Sequence, residues 1–132
     1  FRRPEPSHKS SLFVHDTICL SAARVAEDIK ARAIVGFTSS GYTAFKMSSY
    51  RPRTKIYIFS GRQDMLATLN LCWGVNCLYY DKFTSTDETV EDTIAILKSE
   101  GKLEAGDLVV NTGSMPISKR ERTNMLKVTT VE

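Results

Sequence analysis

Two stretches of this sequence carry residue types suited to holding an anion. The first is FTSSGYTAF, residues 37–45, in which Thr38, Ser39, Ser40 and Gly41 end an apolar run and a helix-compatible pattern resumes at once with Tyr42 and Thr43. A strand that delivers this corner straight into a helix start puts hydroxyls and unpaired backbone N–H groups at the positive end of the helix dipole, a place that favours phosphate. Taken alone, Ser or Thr followed by glycine is an ordinary helix cap and turn. Neither G-x-x-x-x-G-K-[ST] nor G-x-G-x-x-G is present, so the corner needs a second element. That element is TGSMPISKRERTN, residues 112–124, where Lys119, Arg120 and Arg122 face one acid, Glu121. These cations can add charge-assisted hydrogen bonds to an anion seated at the first corner, although a merely solvated charged loop has the same composition. Arg62 either joins such a site or is simply exposed.

Catalysis has no comparable support. A nucleophile needs a base beside it, and the two histidines, His8 and His15, both fall in the first 15 positions. His15, next to Asp16 at the start of a helical pattern, reads as a capping or surface residue. Cys19, Cys72 and Cys77 form no C-x-x-C pair or zinc set and sit among apolar neighbours, so they read as buried thiols. No metal site is expected, because hard cations want clustered carboxylates and the polar corners offer mainly hydroxyls. Asp81 alone is placed remotely like a phospho-accepting acid.

The elements that must position these corners follow from apolar periodicity. Ile18, Ala22, Val25, Ala26 and Ile29 predict an amphipathic helix over roughly 16–31. AIVGFT, 33–38, predicts a strand covered on both faces. Thr43, Ala44, Met47 and Tyr50 suit a helix that ends before Pro52, and KIYIFS is a second strand. DMLATLNLCWG puts Leu66, Leu69 and Trp73 on one helical face and is expected to stop at Gly74. VNCLYY follows as a strand. In STDETVEDTIAILKSEG, Ser85 and Glu88 have capping-box spacing, and Gly101 supplies the exit. AGDLVVNTG leads into a fourth strand, and MLKVTTV alternates as a half-covered edge strand. The alternation predicts a three-layer α/β/α fold around a five-stranded, mostly parallel sheet whose last strand is antiparallel, with a ligand crevice at the carboxyl ends of the strands.

Composition bounds the setting. The chain has 132 residues, 42% hydrophobic and 25% charged, which suits one domain, and its net charge of +3 is too small to imply nucleic acid. Its Arg and Lys residues are scattered apart from those at 119–122. No window approaches the roughly 18 apolar residues of a membrane span, and no signal peptide opens the sequence, so a cytoplasmic location without membrane contact is expected. Without an initiator Met, and with Pro4 and Pro6 near its start, the chain is expected to be part of something longer. Residues 1–11 would then be a linker from a missing upstream domain, and 12–132 the folded unit.

FTSSGYTAFKMSSYRPRTKIYIFS, LNLCWGV, STDETVEDTIAILKSEG, GDLVVNTGSMP and RTNMLKV together resemble the C-terminal domain of pyruvate kinase over roughly residues 12–132. The T-S-x-G turn, Y-R-P, W-G-V, G-D-x-V-V and T-N-x-L-K-V occur in that family's order and spacing. The resemblance implies a regulatory domain with no catalytic residue and no metal of its own. Its parent would be a glycolytic enzyme that transfers phosphoryl from phosphoenolpyruvate to ADP, giving pyruvate and ATP, with Mg2+ and K+ bound in an absent barrel domain of the same chain. The implied partners are that barrel, a sugar phosphate or nucleotide effector, and further copies in a homotetramer. The family's phosphate loop falls on Thr38, Ser39, Ser40, Gly41, Tyr42 and Thr43, and its effector loop on roughly Ser114 to Arg122. STDETVED lacks the Trp and Arg that often hold a second phosphate, Tyr42 stands where many relatives have Arg, and SKRER replaces a glycine-rich loop. These departures imply a monophosphate sugar or a nucleotide, rather than fructose 1,6-bisphosphate, with Lys119, Arg120 and Arg122 as substitutes. A freestanding phospho-ligand binding module and a purely structural dimerisation domain are the alternatives.

Overall fold

A strand that is buried at every position must be covered by two layers, and Ala33–Phe37 is such a strand. The computed structural model describes residues 13–37, 42–50, 53–71, 74–82, 86–113 and 125–132. The elements run α1 (Phe13–Asp28), β1 (Ala33–Phe37), α2 (Tyr42–Ser49), β2 (Lys55–Ser60), α3 (Gln63–Leu69), β3 (Val75–Tyr79), α4 (Thr86–Ser99), β4 (Leu108–Gly113) and β5 (Met125–Thr130). The sheet order is β3-β2-β1-β4-β5. β1 is parallel to both β2 and β4, β2 is parallel to β3, and β5 closes the sheet antiparallel to β4. This is the expected architecture, with β1 at the centre.

Alternation along the strands feeds two cores. On one face Ile34, Ile56, Ile58 and Val110 meet Cys19, Ala22, Ala23 and Ala26 of α1 and Ala44 and Met47 of α2. On the other, Val35, Phe37, Tyr57, Phe59 and Val109 meet Val90, Ile94 and Leu97 of α4. Burying each of the larger side chains contributes about 1.5–3 kcal/mol. Phe59 stacks obliquely on Phe37 and edge-on to Tyr80, with both ring-centroid distances 6.1 Å.

Three helix ends show what stops them. α1 ends through Lys30, held at φ 55, as the Lys30 and Ala31 N–H groups donate to Glu27 O and Ala26 O. α4 ends in the same way with Gly101 at φ 76, where the Gly101 and Lys102 N–H groups donate to Lys98 O and Leu97 O. Gly101 is therefore the expected exit. α3 does not run to Gly74. It stops at Leu69, because Asn70 Nδ2 donates to Leu66 O at 3.0 Å and Asn70 Oδ1 accepts the Cys77 N–H at 2.8 Å. Gly74 instead takes φ 69 in the turn before β3. Trp73 and Cys72 lie outside the described residues.

His15 also departs from expectation. α1 begins at Phe13, so His15 is inside the helix and only 4% exposed, beside an Asp16 that is also buried. His15 Nδ1 lies 3.3 Å from Asp16 Oδ1, Lys46 Nζ reaches Asp16 Oδ2 at 3.6 Å, and the Tyr50 hydroxyl donates to Asp16 O at 3.4 Å. Cys19 Sγ sits 3.8 Å from both ring nitrogens of His15. Cys19 is buried as expected, whereas Cys77 is only partly so.

Candidate functional site

The chain crosses the sheet between β3 and β4, so β1 is flanked by β2 on one side and β4 on the other. In an open α/β sheet the crevice lies at the carboxyl ends of the strands where the order reverses, here β1 and β4. Their ends are adjacent, for Gly36 pairs with Thr112 and a Cβ added at Gly113 would lie 3.1 Å from Phe37 Cδ2. From Phe37 the sequence runs through 38–41 to Tyr42, the first residue of α2. From Gly113 it runs through 114–124 to Met125, which pairs back with Gly113. Both connections are thus anchored at one edge, on neighbouring strands. Tyr42 and Thr43 open α2, whereas Thr38, Ser39, Ser40 and Gly41, together with Lys119, Arg120 and Arg122, lie outside the described residues.

Electrostatics separates the helix starts at this edge. α3 carries Asp64 in its first turn, and α4 carries Asp87 and Glu88. α2 carries no acid there. Since the positive end of a helix favours an anion by about 0.3–1 kcal/mol, α3 and α4 already satisfy that preference internally and α2 does not. The acids are further engaged. Arg62 Nη2 donates to Asp64 Oδ2 at 2.9 Å, a bond that holds the Asp64 carboxyl below the usual carboxylate range, and Lys127 Nζ bridges to Asp87 Oδ1 at 3.1 Å. Arg62 is therefore an exposed surface partner of Asp64, one strand away from the crevice.

Other polar groups near the strand ends bond within the fold. Ser60 is 1% exposed and its Oγ accepts the Arg62 N–H at 3.2 Å. Thr112 is fully buried with its Oγ1 3.4 Å from Val35 O, so its hydroxyl ties β4 to β1. The Tyr79 hydroxyl donates to Asp81 at 3.1 Å, a bond that pushes the phenol up. Among the described residues no group of three His, Cys, Asp or Glu side chains is placed to hold a metal ion, and no helix is long and apolar enough to cross a membrane.

A family model described as pyruvate kinase, alpha/beta domain, matches residues 16–129. The chain belongs to the pyruvate kinase family. It corresponds to the C-terminal alpha/beta domain of pyruvate kinase, a phosphotransferase family. It is 36% identical over 117 residues to the pyruvate kinase of Clostridium acetobutylicum, covering 89% of this chain and 25% of the relative. To that of Lactobacillus delbrueckii subsp. bulgaricus it is 32% identical over 115 residues, covering 87% and 20%. The chain thus spans about a quarter or less of the length of these pyruvate kinases. A crystal structure of a Cryptosporidium parvum pyruvate kinase superposes with a TM-score of 0.83 at 23% identity, covering 98% of this chain and 24% of that one. At that identity the likeness establishes the shared fold.

Sequence reading missed the buried group around His15. Its only local signal is His15 and Cys19 at helical spacing on one face of α1, since Lys46 and Tyr50 arrive from α2.

Proposed function

We propose that this chain is the regulatory and oligomerisation domain of a pyruvate kinase, residues 12–132, preceded by a linker over residues 1–11. It takes a phosphorylated effector, a monophosphate sugar or a nucleotide, at Thr38, Ser39, Ser40, Gly41, Tyr42 and Thr43. Lys119, Arg120 and Arg122 supply charge from the neighbouring connection. The observation that supports this is the acid-free start of α2 at the β1/β4 crevice. The backbone N–H groups of a first helical turn have no intrahelical partners, and phosphate oxygens accept from them.

On this reading the chain supplies no catalytic group. Transfer of phosphoryl from phosphoenolpyruvate to ADP takes place in an upstream barrel of the same chain, which holds Mg2+ and K+, in a cytoplasmic homotetramer. In keeping with that division, no group of three His, Cys, Asp or Glu side chains among the described residues is placed as a hard cation requires. Effector binding regulates the barrel only by favouring one quaternary state, and a coupling of about 1–3 kcal/mol is typical.

Calorimetric titration of the chain with phosphorylated sugars and nucleotides tests the reading. One of them is expected to bind, and Ser40→Asp, which places a fixed carboxylate in the corner, is expected to abolish that binding without changing the circular dichroism spectrum or melting temperature. Unchanged affinity in the variant would remove the corner from the site. No heat from any ligand would leave only the dimerisation role.

A further inference from the structure

At the opposite edge of the sheet, where the parallel strands begin, a groove of about 1180 Å3 runs between the end of α1, the starts of β2 and β4, and the turn after α4. Lys30, Arg32, Arg53, Lys55 and Lys102 line it, against Glu27 and Asp107. All five cations are exposed. Among the described residues none of the five forms an ion pair. Asp107 is already engaged, since its Oδ2 accepts the Glu104 N–H at 2.8 Å.

Tyr57 is the second observation. It is 4% exposed, and its ring belongs to the α4-side core. It also lines the groove, yet among the described residues its hydroxyl has no hydrogen-bond partner. Burial pushes this phenol up, with Arg32 pulling the other way, so at neutral pH the hydroxyl is a donor.

Helix C-termini collect at this edge, and cations beside them would ordinarily serve only to complement the dipoles. Here that explanation falls short. The last carbonyls of α1 at Ala26 and Glu27, and of α4 at Leu97 and Lys98, already accept backbone N–H groups. Arg32, Arg53 and Lys55 stand at strand starts, not on helices. Like charges gathered round a concave surface repel one another and focus a field that attracts anions.

We propose that this groove binds a small polyanion bearing two or more phosphate groups, with the Tyr57 hydroxyl donating to a phosphate oxygen and Arg32, Arg53, Lys55 and Lys102 balancing the charge. Neither tyrosine in the lining presents a ring face for stacking, as Tyr50 is 9% and Tyr57 4% exposed. Recognition therefore rests on the phosphates and not on a base.

The test is titration of the 132-residue chain with tripolyphosphate and with orthophosphate at physiological salt. Tripolyphosphate is expected to bind at least tenfold more tightly. The double variant Arg32→Gln/Lys55→Gln, altering exposed side chains only, is expected to weaken it at least tenfold, and Tyr57→Phe severalfold, each with unchanged melting temperature. Ser40→Asp is expected to leave it unaltered, which separates this groove from the corner at the other edge. Absence of binding, equal affinity for the two phosphates, or full affinity in the double variant would overturn the proposal. Loss of binding in Ser40→Asp would also overturn it by moving the ligand to the corner.

Discussion

Cys19 holds its proton far into the alkaline range. Burial, reinforced by the Asp16 carboxylate and opposed by Lys46, raises its thiol from an ordinary 9.0 to about 12. Since the thiolate is the nucleophile, Cys19 is expected to resist iodoacetamide at pH 8 in the folded chain while Cys77, only partly buried, is modified first. In denaturant the two should react alike. Mass spectrometry of a labelling time course reads this, and equal rates in the folded chain would refute it. At this scale the sequence was legible wherever the chemistry was local. Thr38 to Gly41 and Lys119 to Arg122 stand out because their residue types are contiguous. The burial of the His15–Asp16 pair did not, for Asp16 is held by Lys46 and Tyr50, 30 or more positions away.

Helix ends show the same division between local and distant causes. Gly101 was readable as an exit because glycine takes positive φ without strain, and Lys30 was not, because a lysine there must bear a left-handed conformation that costs an L residue roughly 1–2 kcal/mol. Lys30→Gly is accordingly expected to raise stability by about 1 kcal/mol, seen as a higher urea midpoint at an unchanged slope. Lys30→Ala is the control, and an equal gain from alanine would refute the conformational account. The end of α3 was misplaced because Asn70 diverts both its amide and its carbonyl to other backbone groups while the apolar period runs on past it. Side-chain capping of this kind leaves no trace in periodicity. Strand identities fared better, since β1, β2, β4 and β5 are short apolar or alternating runs bounded by turn residues.

The two cores respond together to alkali. Cys19 lies in the α1-side core, and Tyr80 in the α4-side core has its phenol pushed up to about 12, first by burial and then by its hydrogen bond to Asp92 at 2.9 Å. Both folded values exceed the unfolded ones. The stability they contribute is therefore complete below about pH 9 and is lost as pH rises from about 9 to 12, at up to about 1.4 kcal/mol per pH unit for each group. Urea midpoints measured at pH 8 and pH 11 should fall steeply for the native chain and less so for Cys19→Ala/Tyr80→Phe. An equal fall in both would refute the assignment. At the scale of the molecule, alternation of helix and strand made the layers and the antiparallel last strand readable. Placing β4 beside β1 depends on contacts across some 76 residues, such as Ala33 with Val109, which no local window contains. For the same reason the Arg and Lys residues looked scattered, although five of them from three separate segments line one groove.

The close approach of Phe37 to the bare Cα of Gly113 bears on how the crevice is built. With even one methyl at position 113 that aromatic ring would sit inside ordinary contact distance, and the ring would have to give way by a few tenths of an ångström. The spacing of the β1 and β4 tips is therefore gauged at a single residue, whose want of a side chain leaves room for the Phe37 ring between them.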